Sequence, residues 1–239
     1  MQRGNPVGTT TLAPESSHFT TFYSSVLGQQ IAMAVTGFIL FAFVLFHMLA
    51  NLLVYLPLDA DGVRPLDAYA TRLHALPALL WTARAVLLFS VILHIVTAWQ
   101  LTALNKFEAR KVRYVKWTPI ASTYASRTMV WSGPIIFVFV IYHLLDLTFG
   151  VANPDYEPGH VYHNVIASFS HPVVAIFYIV ANVSLAVHLY HGVWSMCQTV
   201  GLAHPRYTPI LKKASVAFAL VIGVGFCSIP LSVMFGLVH

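Results

Sequence analysis

Five histidines lie deep inside long apolar stretches of the sequence, at positions His47, His94, His143, His188 and His191. Imidazole titrates near neutral pH and is a common metal ligand, including for the iron of haem. A lone histidine in an apolar helix is more often a polar group that is hydrogen-bonded to a neighbouring helix. Here four separate apolar stretches carry one, and ionisable residues at membrane depth are candidates for function. This distribution favours ligands that are shared between helices.

The elements that must position these histidines are predicted to be membrane-spanning helices. Of the 239 residues, 58% are hydrophobic and 9% are charged, against roughly 25% charged in soluble domains. A run of roughly 20 apolar residues is long enough to cross a bilayer, and a helix satisfies its backbone there. The five runs of this length lie at about 28–56, 78–104, 128–149, 171–200 and 211–237.

The sequence therefore predicts an all-α membrane protein, with an N-terminal tail over 1–26 and one five-helix transmembrane domain over 27–239. The connectors Pro57–Pro77 and Asn153–Gly159 are rich in polar residues, proline and glycine, and are interpreted as turns and loops. Two cysteines, Cys197 and Cys227, fall in apolar stretches and suit reduced thiols better than a disulfide framework or a metal cluster.

Charged residues in the connectors predict the orientation. Basic residues follow the second and fourth runs, whereas acidic residues predominate in the other connectors. By the positive-inside rule, the N-terminus is expected inside and the C-terminus outside. The net charge of +5 is then a topology signal and a docking surface for an inside partner, with no nucleic acid expected. The basic set is Lys106, Arg110, Lys111, Arg113, Lys116, Arg127, Arg206, Lys212 and Lys213, and the acidic set is Asp59, Asp61, Asp67, Asp155 and Glu157.

The depth of each histidine in the membrane predicts which histidines bind the same group. On the outer side, His47 lies nine residues before Leu56 and His143 lies seven before Gly150, a difference of about 3 Å at the helical rise of roughly 1.5 Å per residue. On the inner side, His94 lies twelve residues before Lys106 and His188 lies thirteen before Gly201. We therefore expect five helices bundled around two haems, the outer one held by His47 and His143 and the inner one by His94 and His188.

Two segments, Thr36–His47 and Ser132–His143, resemble each other. Each begins with a small hydroxyl residue followed by glycine and ends in a histidine. Small residues let a flat macrocycle or another helix approach the backbone closely, although ordinary helix packing explains either glycine alone. The similarity is interpreted as support for the outer pair.

A weaker similarity concerns the inner pair. A serine precedes both His94 and His188 by four residues. This spacing and the depth count favour His188 over His191 as the fourth ligand. Since His191 lies only three residues further along the same helix, it stays an alternative.

Short motifs distributed along the chain give an independent indication. They are Ser24–Val26, His47–Leu52, Arg127–Gly133, Tyr142–Leu145, Ala167–Ser170 and His188–Ser195. In this combination and order, from about Ser24 to about Arg206, they resemble the succinate dehydrogenase/fumarate reductase cytochrome b subunit in its single-subunit, five-helix, dihaem form. The last span matches only as a generic apolar helix.

The resemblance implies a heterotrimer in a bacterial or archaeal cytoplasmic membrane. A flavoprotein with covalent FAD oxidises succinate, and an iron–sulfur subunit relays the electrons. This subunit is expected to anchor both on the inside face and to pass electrons through two b haems to a quinone, usually menaquinone. The family's outer ligands fall on His47 and His143, and its inner ligands on His94 and His188. Succinate oxidation itself is not expected in this chain, which has no dinucleotide fingerprint and no cysteine set for a cluster.

Other side chains are candidates for contacts with haem propionates or a quinone. Arg84 lies inside an apolar span and could bind an outer propionate or snorkel to the interface. Arg127 could bind an inner propionate or only mark topology. The remaining propionate candidates are Tyr69, Arg72, His74 and Lys106. The quinone candidates are Ser25, Gln29, Gln30, Trp194 and Arg127 near the inner ends, and Asp146 near the outer pair.

Two other functions compete with this interpretation. The chain could be the cytochrome b subunit of another membrane oxidoreductase, such as a hydrogenase or a formate dehydrogenase. It could also be a haem-free transporter that uses intramembrane histidines as a proton relay. A visible redox spectrum and the identity of the co-purifying subunits separate the three.

Overall fold

A computed structural model describes residues 22–104 and 124–239, with the side chains of 124–128 excepted. Within these ranges the chain is helical and has no strand. Five of its helices are long and apolar enough to cross a membrane, as predicted. The helices are α1 (Val26–Asn51), α2 (Pro65–His74), α3 (Pro77–Ala103), α4 (Tyr124–Leu147), α5 (Val161–Phe169), α6 (Pro172–Thr199) and α7 (Thr208–Met234), of which α1, α3, α4, α6 and α7 are the candidate spans.

Local signals in the sequence account for the ends of the spans. When α1 is extended by the short 3-10 helix Leu52–Tyr55 and α4 is counted from Met129, all ten ends lie within three residues of the predicted ones. The hydroxyl of Ser25 accepts a hydrogen bond from the backbone N–H of Gly28 at 3.0 Å and caps α1. Prolines occupy the first position of α3 and α6, where a helix needs no backbone donor. Gly150 and Gly201, with φ of 71° and 80°, follow α4 and α6 in the left-handed conformation that ends many helices.

The interpretation of Pro57–Pro77 as turns and loops was wrong for its second half, which forms α2. Proline stands at the start of this helix, Asp67 lies in its first turn, and Arg72 and His74 lie in its last turn. An acidic residue at the N-terminal end and basic residues at the C-terminal end stabilise a helix through its dipole. Leu66 is buried against the rest of the protein. A short amphipathic helix of this kind carries too few apolar residues to be detected as a span. The other connector, Asn153–Gly159, consists of turns and bends, as predicted.

Helices α2 and α5 pack against each other at the end of the bundle that the sequence assigns to the outside, and we call this layer the outer cap. The carboxylate of Asp67 accepts a hydrogen bond from the backbone N–H of Tyr162 at 2.8 Å. The guanidinium carbon of Arg64 lies 4.1 Å from the centre of the Tyr162 ring. The main buried cluster of the described residues also lies at this end. It comprises Val54, Leu66, Phe139, Tyr162, Val165, Phe169, Ala175, Tyr178, Ala181, Ile229 and Val233.

The spans are arranged as two helix pairs with α7 packed against one of them. Helix α1 packs on α3, α4 packs on α6, and the two pairs approach each other where α1 meets α6. Burial within the chain is low, from 6% of the most apolar part of α3 to 39% of that of α7. Much of the apolar helix surface therefore needs lipid, a cofactor or a partner subunit to cover it.

Candidate haem-binding site

The outer histidine pair consists of His47 on α1 and His143 on α4. Their ring centroids are 5.8 Å apart, and the ring planes are at 80° to each other. Three phenylalanine rings surround them, with Phe43 and Phe226 at 5.2 and 5.9 Å from His47 and Phe139 at 5.8 Å from His143. The pair thus joins the two helix pairs across an apolar, aromatic environment.

The inner histidine pair consists of His94 on α3 and His188 on α6. Their ring centroids are 6.4 Å apart, with the planes at 60°. His191 is half-buried on the same helix as His188, but among the described side chains it makes no ring contact with His94. The structure therefore brings His188, and not His191, next to His94.

Hydroxyl groups contact both rings of the inner pair. The Thr36 hydroxyl lies 3.1 Å from Nδ1 of His94, and the Ser132 hydroxyl lies 3.2 Å from Nδ1 of His188. Thr36 donates its own proton to the carbonyl of Ala32 at 2.7 Å, so towards His94 it acts as an acceptor. Nδ1 of His94 then carries the ring proton, and the lone pair of Nε2 is left to bind a metal.

The similar segments Thr36–His47 and Ser132–His143 each extend from one histidine pair to the other. Their first residues contact the inner pair, and their last residues form the outer pair. The reason is distance, because eleven residues of helix span about 16 Å. Gly37 lies next to the inner pair, since a Cβ added to it would be 3.5 Å from Cε1 of His94. At Gly133 and Gly192, a Cβ would meet no described atom within 4 Å.

A buried carboxylate stands behind the outer pair. The hydroxyl of Tyr178 on α6 lies 3.3 Å from Nδ1 of His143 and donates to Oδ2 of Asp146 at 2.7 Å. Ser168 on α5 donates to the same oxygen at 2.7 Å. Asp146 is 1% exposed, so it is buried inside the bundle, one residue before the end of α4.

Sequence reasoning missed Tyr178, although the depth count contained a signal for it. Tyr178 lies seven residues after the predicted outer end of its span, as His143 lies seven before the outer end of its own. The other outer ligand candidate, His47, has only Asn51 near its ring nitrogens, at 3.4 Å. The Asn51 amide donates mainly to the backbone carbonyl of His47, at 2.7 Å.

Of the candidate propionate-binding residues, those whose side chains the structure describes make no hydrogen bond or ring contact with the histidine pairs. The guanidinium carbon of Arg84 lies 4.9 Å from the ring centre of Trp81 on an exposed face of α3. Arg127 belongs to the first turn of α4, but its side chain lies outside the described residues, as does all of Lys106. Tyr69 and Arg72 are exposed, and Nδ1 of His74 contacts the carbonyl of Ala70 at 2.8 Å.

The candidate quinone-binding residues at the inner end differ in how their polar atoms are used. The Ser25 hydroxyl donates a hydrogen bond to the carbonyl of Phe22 at 2.6 Å and accepts one from the N–H of Gly28 as it caps α1. Both hydrogen bonds are therefore made within its own segment of the chain. Trp194 has the ammonium of Lys212 at 5.2 Å from its ring. Gln29 is different, because its Oε1 is buried and has no hydrogen-bond partner among the described residues.

The spacing of both histidine pairs fits the two axial ligands of a haem iron. The protein needs to supply only these two ligands, because the haem supplies the four equatorial nitrogens itself. Two metal–nitrogen bonds of about 2 Å, plus roughly 1 Å from each nitrogen to its ring centre, would place the centroids about 6 Å apart. The measured separations are 5.8 and 6.4 Å. A bare metal ion would need more protein ligands, and in the described ranges no three side chains of the ligating types converge.

Comparison with known families agrees with the motifs. The model of the succinate dehydrogenase/fumarate reductase transmembrane subunit matches residues 105–226, about half of the chain. The match includes His143 and His188, whereas His47 and His94 precede it. Comparisons with curated proteins and with solved structures found no match. The chain belongs to the family of succinate dehydrogenase/fumarate reductase transmembrane subunits, the membrane anchors of an oxidoreductase complex.

Proposed function

We propose that this chain carries electrons between the iron–sulfur subunit of a succinate dehydrogenase or fumarate reductase and a membrane quinone, through two b haems. His47 and His143 would hold the outer haem, and His94 and His188 the inner one. The observation that carries the proposal is the facing of two histidine pairs, at 5.8 and 6.4 Å, from four different candidate spans. Family membership supports the role of membrane anchor.

The side chains around each pair have a definite task in this scheme. A haem with two imidazole ligands supplies one-electron carriage without an open coordination position. The hydroxyls of Thr36 and Ser132 orient the inner ligands by accepting from Nδ1, and Tyr178 does the same for His143. Phenylalanine rings beside the outer pair exclude water, which lowers the local dielectric constant.

The distance between the two levels follows from α1 itself, which contributes to both. Thr36 contacts the inner ligand His94, and His47 belongs to the outer pair, eleven residues further on. The two levels are therefore about 16 Å apart along the helix. This arrangement supports a path from one membrane face towards the other, with the flavoprotein and iron–sulfur subunits docked at the inner, basic face.

The quinone is proposed to bind near the inner end, where Oε1 of Gln29 has no hydrogen-bond partner in the part of the chain that the structure describes. Its buried Oε1 could accept a hydrogen bond from a quinol hydroxyl. We propose menaquinone or another membrane quinone as the substrate, the N-terminus inside, and a bacterial or archaeal cytoplasmic membrane as the location. The positive-inside rule and the family support these assignments.

The test is purification of the complex that contains this chain. We expect a reduced-minus-oxidised spectrum with a b-type α-band, two haems per covalent flavin, and succinate–quinone oxidoreductase activity. His47→Ala or His143→Ala should remove one haem signal, and His94→Ala or His188→Ala the other. A nickel- or molybdenum-containing partner would instead indicate a hydrogenase or formate dehydrogenase subunit. Absence of a b-type band would refute electron transfer through haem.

A further inference from the structure

We infer that Asp146 acts on the outer haem ligand through Tyr178, as a positioning residue that polarises His143. The inference rests on the proposed function, in which His143 ligates the outer haem. Its basis is a continuous set of contacts from Nδ1 of His143 to the Tyr178 hydroxyl, at 3.3 Å, and from there to the Asp146 carboxylate, at 2.7 Å.

The number of protons that each group can donate determines which atom is the donor in each of these hydrogen bonds. A tyrosine hydroxyl has one proton, and a carboxylate can only accept. Because Tyr178 donates to Asp146, its oxygen must accept from His143, and Nδ1 of His143 carries the ring proton. Nε2 of His143 then presents its lone pair to the iron. The carboxylate thereby selects the tautomer that can bind a metal.

Asp146 has no positive partner that would explain its burial. It is 1% exposed, and among the described residues it forms no ion pair. Its hydrogen bonds come from two neutral hydroxyls, those of Tyr178 and Ser168, both at 2.7 Å on the same oxygen. Burying a carboxyl group is costly unless it is hydrogen-bonded, and both bonds to Asp146 lie on the oxygen that connects it to His143 through Tyr178.

Among the described residues, no carboxylate contacts the inner ligands or their hydroxyl partners, so the two levels differ in their hydrogen bonding. Nδ1 of His94 donates to the Thr36 hydroxyl, and Nδ1 of His188 lies 3.2 Å from the Ser132 hydroxyl; both hydroxyls lie close to backbone carbonyls. Hydrogen bonds that involve an ionised group are stronger than neutral ones. His143 is therefore the more polarised ligand. A more electron-rich imidazole favours ferric over ferrous iron, which lowers the potential of the outer haem.

The experiment is a potentiometric titration of both haems in the purified complex, with three single variants. Tyr178→Phe removes the hydroxyl that connects His143 to Asp146. Asp146→Asn replaces the carboxylate by an amide of nearly the same volume. Ser168→Ala removes the second hydrogen bond to Oδ2 of Asp146. For Tyr178→Phe we expect the ferrous-to-ferric ratio of the outer haem to rise about tenfold at a given ambient potential. For a one-electron couple this is an upward shift of about 59 mV. Asp146→Asn should shift it in the same direction. Ser168→Ala should not raise it, because the carboxylate then remains and Tyr178 becomes its main hydrogen-bond donor, and the inner haem should stay at the wild-type value in all three variants.

The outcomes separate a tuning role from a structural one. An unchanged outer potential in Tyr178→Phe, with the outer haem retained, would overturn the inference. So would an equal shift in Ser168→Ala, or loss of the outer haem in all three variants, because the bonds would then only hold α4, α5 and α6 together. Loss in Tyr178→Phe and Asp146→Asn alone would support positioning of His143. Absence of haem from the wild-type complex would instead refute the proposed function.

Discussion

Replacing Thr36 by valine tests whether this hydroxyl supports the inner haem ligand. Valine keeps the shape of threonine but cannot accept the hydrogen bond from Nδ1 of His94, now 3.1 Å from the hydroxyl. The loss of one hydrogen bond from this half-buried N–H, which also interacts with the backbone of Met33, costs about 1 kcal/mol, which corresponds to roughly a 5-fold loss in inner-haem affinity. Thr36→Ser retains the hydroxyl and is the matched control.

The assay is transfer of haem from the purified complex to excess apomyoglobin, followed by the visible spectrum. We expect faster loss of the inner haem in Thr36→Val, with the outer haem lost at the wild-type rate. Equal rates in the valine and serine variants would refute a role for the hydroxyl. Preferential loss of the outer haem would refute the assignment of Thr36 to the inner level.

Three further predictions concern the inner end. His188→Ala should remove the inner haem and His191→Ala should retain both, as measured by haem content; the opposite result would exchange the ligands. Gly37→Leu should displace the inner haem, because the added Cβ would lie 3.5 Å from Cε1 of His94 and the rest of the side chain would clash with that ring. Gly37→Ala should be tolerated, and equal haem spectra of the two variants would contradict this. Gln29→Leu should raise the KM for quinone several-fold without changing either haem spectrum, since the unpaired Oε1 is lost; unchanged quinone kinetics would exclude Gln29 from the site.

The five spans could be predicted from the sequence because lipid imposes a minimum apolar length on any helix that crosses it. Helix α2 could not, because its ten residues fold against α5 and not against lipid. Its stability depends on contacts such as that between Asp67 and the backbone of Tyr162, which lies 95 positions away in the chain. Local hydropathy contains no trace of such a contact.

The candidate ligand pairs show how far depth alone can lead. Counting residues from the ends of the spans pairs His47 with His143 and His94 with His188, and the rings of these pairs face each other in the structure. Their role as haem ligands stays a prediction. The same counting does not tell which face of a helix a side chain occupies, and for this reason the contacts of Thr36 with His94 and of Ser132 with His188 could not be predicted.

What the sequence by itself determined is therefore axial: the number of candidate spans and the level of each histidine along them. Both follow from the constant rise per residue of an α-helix. Only the tertiary structure decided the lateral relations, which depend on how each helix is rotated and which helix it meets. It brought the hydroxyls of Thr36 and Ser132 to the inner pair, and it buried Asp146 behind Tyr178 at the outer one. These contacts join helices distant in the chain, so no local pattern could have specified them.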